Sequence, residues 1–411
     1  MAPMKIQPYG LLDGDKNEKL RLITECCRQC GIIDTRLIKD VYPCTPTQEL
    51  LIESMQRIVY GKPAAKKFPV PWKYKHSLRG DVSVSTFRRA WQNVVNIYPI
   101  LRTRIIMDRG RHYQVVVREI EEAVSGLFCP AVHHDNHSKN DFDYGERLCR
   151  EAVILGTPSR PTKYFVLTLN HAIHDARVLD LVLGDLVRGY HMLESQSGGR
   201  LVTTNQLFNV FVKHTLEVRN NESSHHFWRT HLEGAVCHPL YALAIRFHPP
   251  EAFFPGALKS FQLNTRTSRY VALPSLTPRP HTRDEIAICG SLGLVLGALT
   301  GSPDIVFDLV RSGRDCLVPP VASMVAPAAT HCPLRIHVKR EAGRTVGQFL
   351  HQIYRNLWDM VESDYQFTGW PTIRALSKEA ENAFKSAYPL QIIPCHNNKN
   401  KYGIVQCKYQ T

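Results

Sequence analysis

No run of apolar residues in this 411-residue chain reaches the roughly 20 that a membrane-crossing helix needs, and Met1 to Gly10 carry no apolar core of the secretory-leader kind. A soluble, cytoplasmic protein with no membrane partner is expected. Regular cysteine spacing is also lacking. Twelve cysteines are scattered along the chain, which fits reduced thiols better than a disulfide framework. Cys27-Arg-Gln-Cys30 is a single CxxC with no second Cys or His pair nearby, and Cys26, Cys27 and Cys30 sit in what reads as an amphipathic helix, so packing rather than a metal is expected. Basic residues outnumber acidic ones, 51 to 37, for a net charge of +14, yet no basic block is interleaved with aromatics. Nucleic acid is therefore not the expected ligand; a dispersed positive charge suits an acidic protein partner. Gly290, Gly293 and Gly297 match no phosphate-cradling spacing and are read as close packing or sequence drift within a helix.

What is present is a globular composition, 44% hydrophobic, in a chain long enough for two lobes that each bury a core. Leu20, Leu22, Ile23 and Cys27 have helical spacing that stops at Gly31; residues 1–40 read as a connector with an N-terminal helix. Thr45 or Thr47 caps a helix through Ile58, Lys67 to Leu78 alternates as a strand, and Ser85 to Ile97 reads as a helix. Strands at Leu101 to Met107 and His112 to Glu119 flank a hairpin turn at Asp108-Arg-Gly110. In Arg177 to Tyr190, Leu179, Val182, Leu183, Leu186, Val187 and Tyr190 give one buried helix face. Ser195 to Arg200 is a flexible junction, so a first lobe of 41–196 and a second of 197–411 are expected. The second half reads as helices near 205–218, 225–233 and 283–299 with strands at 268–273, 304–310 and 334–338. Cys395 to Thr411 is polar and unpatterned, and the second lobe looks incomplete.

The chemically richest segment is Asn170-His-Ala-Ile-His-Asp175, between the strand-like run Lys163 to Leu169 and the helix that follows. His171 and Asp175 stand four residues apart at a strand exit, and an imidazole there titrates near neutrality and can accept the proton of an attacking amine or hydroxyl.

Several short blocks accompany it in a fixed order. Tyr42-Pro-Cys-Thr-Pro-Thr-Gln-Glu49 and Tyr98-Pro-Ile-Leu-Arg-Thr-Arg104 precede it. His226-Phe-Trp-Arg-Thr-His-Leu-Glu-Gly-Ala235, Val310-Arg-Ser-Gly-Arg-Asp315, Val325 to Arg335 and Phe367 to Arg374 follow. From about residue 8 to about residue 394 this series resembles the motifs of condensation domains from non-ribosomal peptide synthetases, the fungal ones in particular, with His171 and Asp175 where HHxxxDG belongs.

The resemblance implies an α/β chain with the two-lobed fold of chloramphenicol acetyltransferase, each lobe a mixed sheet flanked by helices. It implies amide or ester formation between a carrier-bound acyl or peptidyl thioester and an amine or hydroxyl acceptor. No cofactor would be bound directly; the phosphopantetheine arms of carrier domains enter as substrates, and carrier and adenylation domains are the partners. His171 would be the catalytic residue, Asp175 its structural support and Arg314 the partner of Asp175, with Asn170, Ala176 and Ser312 beside the substrate. Arg102 serves a similar bracing purpose, or is a solvated or helix-capping arginine.

Two residues depart from the pattern. Asn170 replaces the first His, and Ala176 replaces the Gly after the Asp, where a methyl group obstructs if the position needs positive φ or close substrate approach. Two alternatives therefore accompany the main reading: a degenerate module that binds a carrier or partner without turnover, and a stand-alone acyltransferase using acyl-CoA. The plant-type DFGWG motif of the latter is absent. His133, His134 and His137, and His225 with His226, are read as solvated surface; His174 is the other histidine of interest.

Overall fold

The computed structural model of the chain describes residues 6–60, 67–69, 72–118, 127–130, 141–155, 162–195, 208–237, 282–316, 318, 321–338, 343–394 and 402–405. They divide into two compact units, Met1–Leu216 with Leu317–Ala328, and Glu217–Cys316 with Ala329–Thr411. The stretch expected to be the junction lies, past Ser195, outside the described residues.

In the first unit, β1 (Ile38–Pro43), β4 (Thr103–Asp108) and β5 (Arg111–Val117) form a three-stranded sheet in the order β1-β5-β4. The β4–β5 turn is the expected hairpin, with φ of 47° at Arg109 and 77° at Gly110. Two successive positive φ values give the loop the twist that matches paired strands, and glycine takes the second at no steric cost. Helix α1 (Lys16–Cys30) is capped by Asp15 and ends at Gly31 in the left-handed region, where the periodicity stops. It buries Leu22, Cys26 and Cys30 against Ile38, Val41, Ile106 and Val115. Burial pushes the Cys30 thiol up to about 11, so these sulfurs pack as apolar groups.

A second sheet has the order β3-β9-β8-β6, with β3 (Trp72–Leu78), β6 (Leu127–Pro130), β8 (Cys149–Leu155) and β9 (Lys163–Leu169). The strand expected over Lys67 to Leu78 is two: β2 (Lys67–Pro69) pairs with β7 (Asp141–Asp143), and β3 with β9. Pro69 and Pro71 remove backbone donors at the division, which prevents one continuous ladder. Helix α2 (Pro46–Tyr60) starts from a reciprocal cap in which Gln48 N donates to Thr45 Oγ1 and Thr45 N to Gln48 Oε1. Helix α3 (Val84–Ile97) sets Phe87 and Trp91 edge-on to Phe165. Arg102 is a capping residue: its guanidinium donates to the carbonyls of Val95, Asn96 and Val117, at the ends of α3 and β5. Helix α4 (Ala176–Glu194) buries Val178, Val182, Leu186 and Tyr190, an unbroken i, i+4 row, whereas Val187, expected on that face, is 56% exposed.

The second unit is built on a sheet in the order β11-β10-β12-β13, comprising β10 (Asp304–Arg311), β11 (Thr330–His337), β12 (Tyr388–Pro394) and β13 (Tyr402–Val405). β13 corrects the expectation of an unpatterned end: it pairs antiparallel with Gln391–Pro394, so β12 is an interior strand. Four residues are too few to display a strand period. Helices α5 (Phe208–Arg219), α6 (Glu222–Leu232) and α7 (Thr282–Thr300) lie close to their expected positions, α8 (Val346–Glu362) was not expected, and the strand expected at 268–273 lies outside the described residues. The α7 glycines are packing positions: a Cβ at Gly290 would stand 2.9 Å from Leu350 Cδ2, and one at Gly297 2.5 Å from Val338 Cγ2. Among the described residues no helix is long and apolar enough to cross a membrane.

Candidate active site

Strand β9 delivers the chain into a short turn bounded by two capping side chains. Asn170 N donates to Leu148 O at 3.0 Å, and Asn170 Oδ1 accepts from Ala172 N at 2.9 Å, opening a single 3-10 turn over His171–Ile173. Asp175 closes it: Oδ1 accepts from Val178 N at 2.8 Å as the N-cap of α4, and Oδ2 accepts from Ala328 N at 2.9 Å. Asn170 and Asp175, 5% and 8% exposed, thus hold the two ends of the loop that presents His171.

His171 is half-buried, with Nδ1 3.1 Å from the carbonyl oxygen of His174. A carbonyl only accepts, so Nδ1 carries the proton and Nε2 is the basic nitrogen of the neutral ring. The Trp72 ring meets the imidazole edge-on at 5.7 Å, from a strand position paired with Leu169.

His174 is a support. Its ring is 2% exposed, Nδ1 donates to Asn170 O at 2.8 Å, and Nε2 accepts from Tyr74 Oη at 3.0 Å. Burial, with His171 alongside, pushes this imidazole down to about 4, so it is neutral at pH 7 and ties turn to sheet. A further anchor is Gln48, whose Nε2 donates to Ala172 O at 2.8 Å and to Gln114 Oε1 at 2.9 Å. Sequence reasoning assigned no role at the site to Gln48, Trp72 or Tyr74. Gln48 left a signal in the Thr45–Gln48 capping pattern; the other two reach the turn only through β3–β9 pairing.

The remaining expected site residues are placed as follows. Asn170, expected beside substrate, spends its side-chain oxygen inside the loop. Ala176 is exposed and opens α4; the only positive φ values at non-glycine positions among the described residues are at Tyr9, Arg109 and Asp364. The obstruction considered for a residue in place of glycine therefore does not arise from its backbone. Ser312 and Arg314 belong to the second unit, in a turn with Gly313 at φ 63° where Arg314 N donates to Ser312 Oγ at 3.3 Å.

Among the described residues no set of His, Cys, Asp and Glu is arranged to hold a metal. His133, His134 and His137 lie outside the described residues. His225 is in α6 with Nε2 2.7 Å from Arg219 O. A cavity of about 690 Å³ in the second unit is lined by His226, Phe227, His231 and Tyr365 among others, and none of the turn residues border it. Its rings pack on one another, Phe227 stacking on His231 at 5.5 Å and meeting Tyr365 at 5.1 Å.

Comparison with known proteins supplies context for this geometry. The family model described as the condensation domain matches residues 47–391. The chain is 27% identical over 391 residues to the nonribosomal peptide synthetase sidD of Aspergillus fumigatus, an alignment covering 95% of this chain and 17% of that protein. The chain thus spans about a sixth of the length of this relative. Among solved structures it is similar to the starter condensation domain of rhizomide synthetase RzmA, with a TM-score of 0.64, 11% identity and coverage of 90% of both chains. It is likewise similar to the structure described as holo T3CT, with a TM-score of 0.67, 15% identity and coverage of 97% of this chain and 91% of that one. These likenesses carry the expected chloramphenicol acetyltransferase-like α/β fold.

Proposed function

The chain belongs to the condensation-domain family, and from that premise we propose that it joins two carrier-borne substrates by forming an amide or ester bond. The acceptor amine or hydroxyl attacks the thioester carbon of the donor, the carbon–sulfur bond breaks, and the phosphopantetheine thiol leaves. The proton of the nucleophile passes to Nε2 of His171 and from there to the departing sulfur. Acyl or peptidyl carrier domains are the partners, adenylation domains the neighbours in a larger synthetase, and the cytoplasm the location.

The observation that carries this reading is the fixed orientation of His171. Its Nδ1–H is spent on the His174 carbonyl, so the ring is held ready to take a proton through Nε2 without first reorienting. Asp175 acts through the loop: both its oxygens hold backbone donors, and in the proposal it also accepts from Arg314, with Ser312 shaping the turn that presents that guanidinium. Asn170 supports the turn, and Ala176 stands at the start of α4 where donor or acceptor passes. Because Ala176 needs no positive φ, its backbone gives no reason to favour a module that only binds carriers.

The test is product formation. Acyl-loaded and aminoacyl-loaded carrier domains, varied over a panel, are mixed with the protein and the acceptor carrier is weighed by mass spectrometry. Transfer of the acyl group onto the acceptor is expected. Binding of both carriers with no transfer across the panel would sink condensation and favour the binding-only module; transfer from acyl-CoA in place of a carrier would favour the stand-alone acyltransferase.

A further inference from the structure

We infer that Gln48 is a positioning residue for His171, holding through its side-chain amide the peptide that follows the imidazole. The inference rests on the assignment of proton transfer to His171. Gln48 is 1% exposed and Gln114 is fully buried, so neither amide has water to fall back on. The amide orientation is forced: Thr45 N donates to Oε1 at 2.8 Å, and a flipped group would set NH₂ against that N–H. Nε2 therefore faces two acceptors, Ala172 O at 2.8 Å and Gln114 Oε1 at 2.9 Å, while Gln114 Nε2 donates to Pro43 O at 3.2 Å.

Ala172 is thereby clamped on both sides. Its N–H is held by Asn170 Oδ1 and its carbonyl by Gln48, across 124 residues of sequence. It lies between His171 and the His174 carbonyl that fixes the imidazole proton. Freeing the Ala172 carbonyl lets this peptide rotate and releases the His174 oxygen from register with Nδ1. The same glutamine caps α2, so the pitch of the site turn is set by the first turn of a distant helix.

The test uses the full chain labelled with ¹⁵N-histidine, the His171 signals being assigned by their loss in His171→Ala. Gln48→Glu is the key variant, because a carboxylate oxygen still accepts from Thr45 N while the other confronts the Ala172 carbonyl. Gln48→Leu removes both contacts, and Gln114→Leu removes the Gln48–Gln114 bond but leaves the Ala172 tether. Wild type and Gln114→Leu are expected to show a single Nδ1–H tautomer at His171, and Gln48→Glu a mixture of both tautomers. In condensation assays Gln48→Glu is expected to lose about 10- to 100-fold in kcat with KM within about twofold, the cost of misaligning a group with the reaction path. His171 signals in Gln48→Glu that superimpose on those of wild type would overturn the inference, as would a mixed tautomer in Gln114→Leu equal to that in Gln48→Glu. The spectrum needs no substrate. His171→Ala turning over at the wild-type rate would therefore overturn the proton-transfer role of His171 and leave the positioning of its ring standing.

Discussion

His174 is the residue whose chemistry makes the sharpest demand on solution conditions. Its folded pKa, about 4, lies below the ordinary imidazole value of 6.5, so between those values the unfolded chain binds a proton that the folded one refuses. Stability on this account is fully present above pH 6.5 and is lost as pH falls toward 4, by about 3 kcal/mol for this residue. His231, pushed down to about 4 by burial and by Arg335, adds a loss of the same sign. Urea denaturation across this range is expected to show the advantage of wild type over His174→Phe shrinking as pH falls; an advantage that stays constant or grows would contradict a buried neutral His174. Tyr74→Phe leaves His174 Nε2 buried without its donor and is expected to destabilise by about 1–3 kcal/mol at pH 7, read from the shift in denaturation midpoint. The site was only partly legible at this scale. The His171–Asp175 spacing stood out because strand, turn and helix N-cap follow one another within a dozen residues, whereas Tyr74 reaches His174 across 100 residues of sequence and leaves no local trace.

At the scale of elements, two helical glycines give opposite expectations from the same substitution. Gly184 lies on the exposed side of α4 with nothing within 4 Å of an added Cβ, so Gly184→Ala is expected to stabilise by about 0.5–1 kcal/mol through helix propensity. Gly297 has Val338 Cγ2 2.5 Å from that position, and Gly297→Ala is expected to destabilise by about 1–3 kcal/mol. Thermal melts of the two variants that shift in the same direction would contradict the packing described for α4 or α7. Helices were the most legible part of the sequence, because a period sustained over three or more turns leaves many agreeing residues, as in α3 and α4. Strands were less so: β2 and β3 merged into one expectation because alternation continues across Pro69 and Pro71, and β13 was too short to register. Val187 was assigned to the buried face of α4 because it is apolar, but the inward row follows Val178, Val182, Leu186 and Tyr190.

At the scale of the whole molecule, the order of motifs was more informative than any one of them, since blocks spread from Tyr42 to Arg374 in one sequence are hard to produce by chance. A donor and an acceptor were not legible, because neither a fold nor an order of motifs fixes a substrate. The proposed pairing of Asp175 with Arg314 is tested through stability. A double-mutant cycle of Asp175→Ala and Arg314→Ala, read by thermal stability, is expected to give a coupling of about 0.5–3 kcal/mol, and strict additivity would remove Arg314 from the support of the turn. The central claim is that His171 handles the proton of the condensation. The most direct measurement is the single-turnover rate of bond formation between two preloaded carrier domains, for wild type and His171→Ala at equal folded concentration. A fall of about 10²- to 10⁴-fold with unchanged melting behaviour is predicted; equal rates for the two proteins would contradict the account.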